Sequence, residues 1–119
     1  MNNATERLDL AFAALADPTR RAILARLSRG EATVAELAEP FGLRQPTISK
    51  HLKVLEEAGF VTHSRDGQRR PRQLVDGALK DVDAWLEPFR KQWEARLDNL
   101  GAYLARTNRK PKQKSGRKP

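Results

Sequence analysis

At 119 residues the chain has room for one domain with an appended helix or tail, and a core of that size holds together without crosslinks. The complete lack of cysteine excludes disulfide frameworks, thiolate zinc sites, iron–sulfur clusters and thiol nucleophiles, and fits a reducing cytoplasm. The formal net charge of +8 is unevenly spread: seven of the 23 basic residues and none of the 15 acidic ones fall within 106–119, and residues 44–72 carry a local +4. Such a pattern suits a polyanionic partner that meets one docking face.

Met1 to Thr5 is polar and leads into an amphipathic pattern instead of an apolar leader. No apolar run reaches membrane-spanning length, so neither a secretion signal nor a membrane contact is expected. Leu8, Phe12 and Leu15, at i, i+4 and i+7, mark a first helix. Asp17-Pro18 ends it and starts a second, with Asp17 as N-cap and Pro18 in the first helical position. That second helix buries Ile23, Leu24 and Leu27 and ends near Arg29-Gly30. Thr33-Val34-Ala35-Glu36 has capping-box spacing and opens a third helix with Leu37, Ala38 and Phe41 on one side. Pro40 shortens or distorts its end, and Gly42 stops it. Gln45 to Ala58 then reads as a fourth helix, with Ile48, Leu52 and Leu55 facing inward and Gly59 ending it.

After Gly59 the period changes. Phe60 to Arg65 and Gln68 to Val75 read as two extended stretches around Asp66-Gly67, a strong hairpin signal because both turn residues tolerate positive φ. Pro71 implies that the second strand is an edge at that point. Leu79, Val82, Leu86, Phe89, Trp93, Leu97, Leu100 and Leu104 then recur every three or four residues, a long helix with a kink expected at Pro88. Its apolar seam is longer than a domain this small needs for its own core. Beyond Arg106, Lys, Arg, Pro, Ser, Gly and Gln dominate, and a disordered basic tail is expected over 106–119.

Two helices joined across Gly42, Leu43 and Arg44 form a helix-turn-helix candidate. With Ile48, Leu52 and Leu55 inward, Pro46, Lys50 and Lys53 point outward, flanked by Thr47 and Ser49, and Gln45 stands at the N-terminal end. This small, polar, basic face suits a helix that presents its first turns to base edges in a major groove. Its acids, Glu56 and Glu57, sit at the far end. The hairpin tip holds Arg65, Arg69, Arg70 and Arg72 around Asp66-Gly67, which resembles a wing straddling a phosphate backbone. Arginines also guard edge strands against aggregation, so this signal alone decides nothing. His51 and His63 are isolated, without metal-ligand spacing, and read as packing or phosphate-contacting residues.

Three strings carry a family resemblance: Ala16-Asp17-Pro18-Thr19-Arg20-Arg21-Ala22-Ile23-Leu24, Val34-Ala35-Glu36-Leu37-Ala38, and Gln45-Pro46-Thr47-Ile48-Ser49-Lys50-His51-Leu52-Lys53-Val54-Leu55. With Ala58-Gly59-Phe60-Val61 and the Arg65-Asp66-Gly67-Gln68 tip, the chain resembles the ArsR/SmtB regulators over about residues 8–104. The resemblance implies a winged-helix dimer, usually a repressor, that docks through the helix 45–58 and pairs through its terminal helices. The chain departs from the family pattern in three respects. Thr33 and Ala35 stand where metal-sensing members carry a cysteine pair; residues 79–104 hold no histidine; and Arg44 replaces a frequent Ser or Thr N-cap.

The expected architecture is therefore mostly α with a small β-hairpin: a winged helix-turn-helix domain over 1–105 with dimerisation helices at both ends, and the basic tail. Candidate DNA-binding residues are Arg44, Gln45, Pro46, Thr47, Ser49, Lys50, Lys53, Arg65, Arg69, Arg70 and Arg72. Candidate pairing residues are Leu8 and Phe12 on the first helix and Leu86, Phe89, Trp93, Leu97, Leu100 and Leu104 on the last. The expected partners are double-stranded DNA, read at a partly palindromic operator, and a second copy of the chain; no metal or cofactor is expected. A winged-helix protein-interaction module with a nucleic-acid-binding tail is the competing reading, disfavoured because protein interface cores are depleted of lysine. An enzyme would need a phosphate loop, nucleophile elbow or carboxylate pair, and the chain has none of these signatures.

Overall fold

In the computed structural model, which describes residues 3–64 and 69–107, α1 spans Asn3–Leu15, α2 Pro18–Leu27, α3 Val34–Phe41 and α4 Gln45–Glu57. The strands β1 (Val61–His63) and β2 (Arg72–Leu74) follow, and then α5 (Lys80–Thr107). The chain divides into two units, one running to Ala84 and one beginning at Trp85.

In the first unit, Asp17 caps α2 by accepting a hydrogen bond from the Arg20 N–H at 3.0 Å, with Pro18 following it. The capping box of α3 is complete: Thr33 N–H donates to Glu36 Oε1 at 2.8 Å, and Glu36 N–H donates to Thr33 Oγ1 at 3.2 Å. Pro40 does not cut α3 short. The helix runs to Phe41, and Gly42 then takes the left-handed conformation (φ 65°) that reverses the chain toward α4. Ile48, Leu52 and Leu55 of α4 are fully buried against Ile23, Leu27, Leu37 and Phe60 in one core. α1 turns Ala11 and Ala14 inward, half-buries Leu8, and leaves Leu10 and Phe12 exposed.

β1 and β2 pair antiparallel with Val61 opposite Leu74 and His63 opposite Arg72. Pro71 does not mark an open edge. Its buried ring lies just before β2, and the next residue is bridged on its other side: Arg72 N–H donates to the Ala32 carbonyl at 2.7 Å, and Ala32 N–H to the Arg72 carbonyl at 3.0 Å. The segment before α3 thus covers the exposed side of β2 at that point. The hairpin tip 65–68, including Arg65, lies outside the described residues, as does the chain beyond Thr107.

α5 continues unbroken through Pro88 and past the expected start of the tail to Thr107. Val82 packs on the core of the first unit. From Trp85 onward no described residue of α5 is buried: Leu86, Phe89, Trp93, Leu97, Leu100 and Leu104 are all exposed, and the Trp85 and Phe89 rings meet at a 45° tilt with centroids 4.8 Å apart. Leu10 and Tyr103 are also exposed and were not foreseen in the sequence.

Candidate nucleic-acid interface

The outer face of α4 is built by its inner one. Burying Ile48, Leu52 and Leu55 fixes the rotation of the helix, and Arg44, Gln45, Pro46, Thr47, Ser49, Lys50 and Lys53 are consequently all exposed. Among the described residues none of these seven side chains is engaged in a hydrogen bond or ion pair. Arg44 occupies the N-cap without a side-chain cap, so the positive end of the helix dipole is uncompensated and carries an added guanidinium. The arrangement is a ridge of short polar side chains with cations at either side, projecting from a rigid base.

Two polar clusters hold that ridge in place. Arg20 of α2 donates from Nε to the Ala14 carbonyl at 2.7 Å and from Nη2 to the Ala13 carbonyl at 3.0 Å, closing the C-terminal end of α1. Its Nη1 lies 3.5 Å from His51 Nδ1 on α4, and Asp17 Oδ2 lies 3.9 Å from the same nitrogen. One arginine therefore ties α1, α2 and α4 together. The Asp17 carboxyl is held below its ordinary range, chiefly by the Arg20 backbone N–H and further by the neighbouring His51 charge, against the opposing effect of burial. His51 is a packing residue within this cluster, as the sequence suggested.

The second cluster gathers on Glu56 in the last turn of α4. His63 Nδ1 lies 3.2 Å from Glu56 Oε2, and Arg70 Nη2 lies 3.0 Å from His63 Nε2. Arg72 is turned back beneath the hairpin instead of standing at its tip. Its side chain is only 17% exposed, its Nη1 donates to the Arg70 carbonyl at 2.6 Å, and its Nε lies 3.3 Å from Glu56 Oε2. That last contact has ion-pair distance without hydrogen-bond alignment, leaving the buried Nε unsatisfied. The register explains the inward turn, since Arg72 faces His63 across the ladder and its backbone is clamped by Ala32.

Arg69 reaches Glu36 Oε1 of α3 at 3.7 Å; both side chains are about half exposed, so the pair orients more than it stabilises. The Glu36 carboxyl is held low foremost by the Thr33 backbone N–H, then by the Thr33 hydroxyl, with Arg69 a lesser contribution. Arg20 and Glu56 were missed in the sequence. Each is a polar residue beside an apolar run, and only the tertiary fold brings its partners within reach.

A helix-turn-helix domain model matches residues 15–64, the span from the end of α1 to the end of β1. The transcriptional repressor SdpR of Bacillus subtilis (strain 168) is 38% identical over 78 residues, covering 66% of this chain and 87% of that protein. The crystal structure of an ArsR family transcriptional regulator is 44% identical and superposes with a TM-score of 0.67 over 76% of this chain and 93% of the other. The chain belongs to the ArsR family of winged helix-turn-helix transcriptional regulators. The homodimeric winged helix-turn-helix DNA-binding domain Mb0332 of Mycobacterium bovis, solved by NMR, is 26% identical, with a TM-score of 0.58 over 80% of this chain and 85% of that one.

As an ArsR-family chain it has spent the cysteine-pair positions on structure. Thr33 is the N-cap of α3 and Ala35 its second residue. Among the described residues, no group of three or more His, Cys, Asp or Glu is placed to hold a metal ion, and no helix is long and apolar enough to cross a membrane.

Proposed function

We propose that this ArsR-family protein is a dimeric, sequence-specific DNA-binding repressor that occupies a partly palindromic operator and blocks transcription there. The observation that carries the reading is the α4 ridge: seven exposed, unengaged polar, proline or basic residues from Arg44 to Lys53, set on a fully buried apolar face. Gln45, Thr47 and Ser49 lie in the first turns and serve as readers of base edges; Gln pairs bidentately with adenine, and the Thr methyl packs on a thymine methyl. Lys50 reaches a guanine edge or a phosphate. Arg44 and Lys53, with Arg69 and Arg70 on the wing and Arg65 at its tip, clamp the backbone. Arg72 serves by fixing the hairpin against Glu56.

A two-fold dimer repeats this ridge in successive major grooves, which is why the operator is partly palindromic. Two sets of residues serve in pairing, one in each unit: the exposed seam of α5 (Leu86, Phe89, Trp93, Leu97, Leu100, Leu104), and Leu8 and Phe12 of α1. A contiguous apolar stripe of this length is costly to leave in water, which supports a second copy as its cover. The role is regulatory and not catalytic, and no metal or cofactor enters it. Selecting bound fragments from a genomic DNA pool at stated salt tests the reading. Recovery of fragments sharing a two-fold symmetric element is expected; recovery without any shared element refutes sequence-specific binding.

A further inference from the structure

His63 sits between a carboxylate and a guanidinium, and each contact specifies one of its ring nitrogens. Arginine carries only donors, so the 3.0 Å contact between Arg70 Nη2 and His63 Nε2 is a hydrogen bond only when Nε2 presents a bare lone pair. The proton then belongs on Nδ1, which faces Glu56 Oε2 at 3.2 Å. When the ring is neutral the arrangement is a relay with one sense throughout: Arg70 donates to the imidazole, and the imidazole donates to Glu56. Protonating the ring adds an Nε2–H and a positive charge directly against the Arg70 guanidinium. The hydrogen bond is lost and becomes a like-charge contact, while the bond to Glu56 persists.

We propose that His63 is the positioning residue for the wing cation Arg70, holding the guanidinium back against the hairpin base when neutral and releasing it toward DNA phosphate when protonated. The inference rests on the DNA-binding reading above and goes beyond it by making wing engagement depend on proton concentration. Among the described residues, the charged and titratable groups facing the imidazole are Glu56 from α4 and, from the neighbouring strand segment, Arg70 and Arg72, the latter 3.3 Å from the same Glu56 oxygen. Arg72 is anchored by its own bond to the Arg70 carbonyl and stays in place. Arg70 is exposed, and among the described residues its guanidinium makes no other side-chain contact that would restrain it once its acceptor is lost.

The sign follows from charge. As pH falls, His63 gains a positive charge and Arg70 gains access to phosphate, and both strengthen binding to a polyanion. Each further phosphate contact adds about 0.9 to the log–log salt slope. The test measures affinity for a short scrambled duplex at about pH 8 and about pH 6 across a salt series, because phosphate contacts need no particular sequence. Wild type is expected to gain about fivefold to tenfold in affinity more than His63→Gln on acidification, with its salt slope steepening by about one unit. Gln keeps an acceptor for Arg70 and a donor for Glu56 but does not titrate, so its salt slope should stay constant. His51 is present in both proteins and cancels in the comparison.

Arg70→Ala should lose most of the pH-dependent gain while retaining the part due to the imidazole charge alone. A His63→Gln protein with the wild-type pH profile overturns the proposal, and so does an Arg70→Ala protein that titrates like wild type. A wild type that binds no duplex at either pH sinks the DNA-binding reading. The relay is then still decided by the imidazole nitrogen chemical shifts in NMR at alkaline pH: an Nδ1–H tautomer supports it, and an Nε2–H tautomer overturns it.

Discussion

Trp93 is the most exposed large apolar side chain on α5, 66% accessible, and replacing it with Asp tests the pairing surface directly. A buried aromatic side chain covers about 150–250 Å², so roughly 150 Å² of Trp93 is available for a partner to cover. At about 25 cal/mol per Å² this is worth about 4 kcal/mol per protomer, and a two-fold interface counts it on both sides. Association returns only part of such area-based values. Taking half, Trp93→Asp costs about 4 kcal/mol per dimer, or about a thousandfold in the dissociation constant, before the introduced carboxylates repel each other. Sedimentation equilibrium at micromolar protein should show wild-type dimer and mutant monomer, with the helix-turn-helix unit still folded by circular dichroism. A mutant that dimerises within tenfold of wild type would refute the assignment of the seam.

Gln45→Ala should cost about 1–3 kcal/mol at the preferred operator and relax preference at one or two positions, whereas Arg69→Ala should weaken all sequences alike and lower the salt slope by about one unit; binding titrations on matched and scrambled duplexes separate the two, and the reverse pattern would exchange their roles. Deleting residues 108–119 removes six basic residues and should weaken specific and non-specific binding together; a collapse of their ratio would mean that this segment reads sequence. Zinc and a chelator should give equal DNA affinity, and a reproducible tenfold difference would reopen the question of a metal site. The Asp17 carboxyl is lowered in the folded state, so its stabilisation is fully present above about pH 4 and is lost as pH falls through the lowered value. Urea midpoints measured down to about pH 2.5 should therefore fall further for wild type than for Asp17→Asn, and parallel losses would disprove the linkage.

Most of the fold was legible because its punctuation is chemical. Asp17-Pro18, the Thr33–Glu36 pair and Gly42 each satisfy a backbone need at a helix end, and the structure places the ends there. The face of α4 was legible for the same kind of reason, since three large aliphatic residues at i, i+4 and i+7 leave one rotation open. In α1 the stripe that meets the core was not legible, because the buried Ala11 and Ala14 are too small to mark a face, while Leu8 and Phe12, read as pairing candidates, are half-buried and exposed. Hydrophobicity alone does not say which stripe is inside. The Ala32–Arg72 bridge involves a single residue pair and leaves no period to read. Arg72 was placed at the hairpin tip because charge marks a side chain as polar without saying which way the strand turns it. Arg20 and Glu56 form their contacts across the fold, at separations such as the 31 residues between Arg20 and His51, where local pattern carries no information.

The chain has two tryptophans, and both belong to α5: Trp85 tilted against Phe89, and Trp93 in mid-seam. The helix-turn-helix unit has neither. Intrinsic emission of the unlabelled protein is therefore an optical gauge of one helix, silent about the DNA-reading half of the molecule. When a partner covers the seam, the indoles leave water and their emission shifts to the blue, so dilution on a fluorimeter reads subunit exchange without a dye, a tag or an engineered probe.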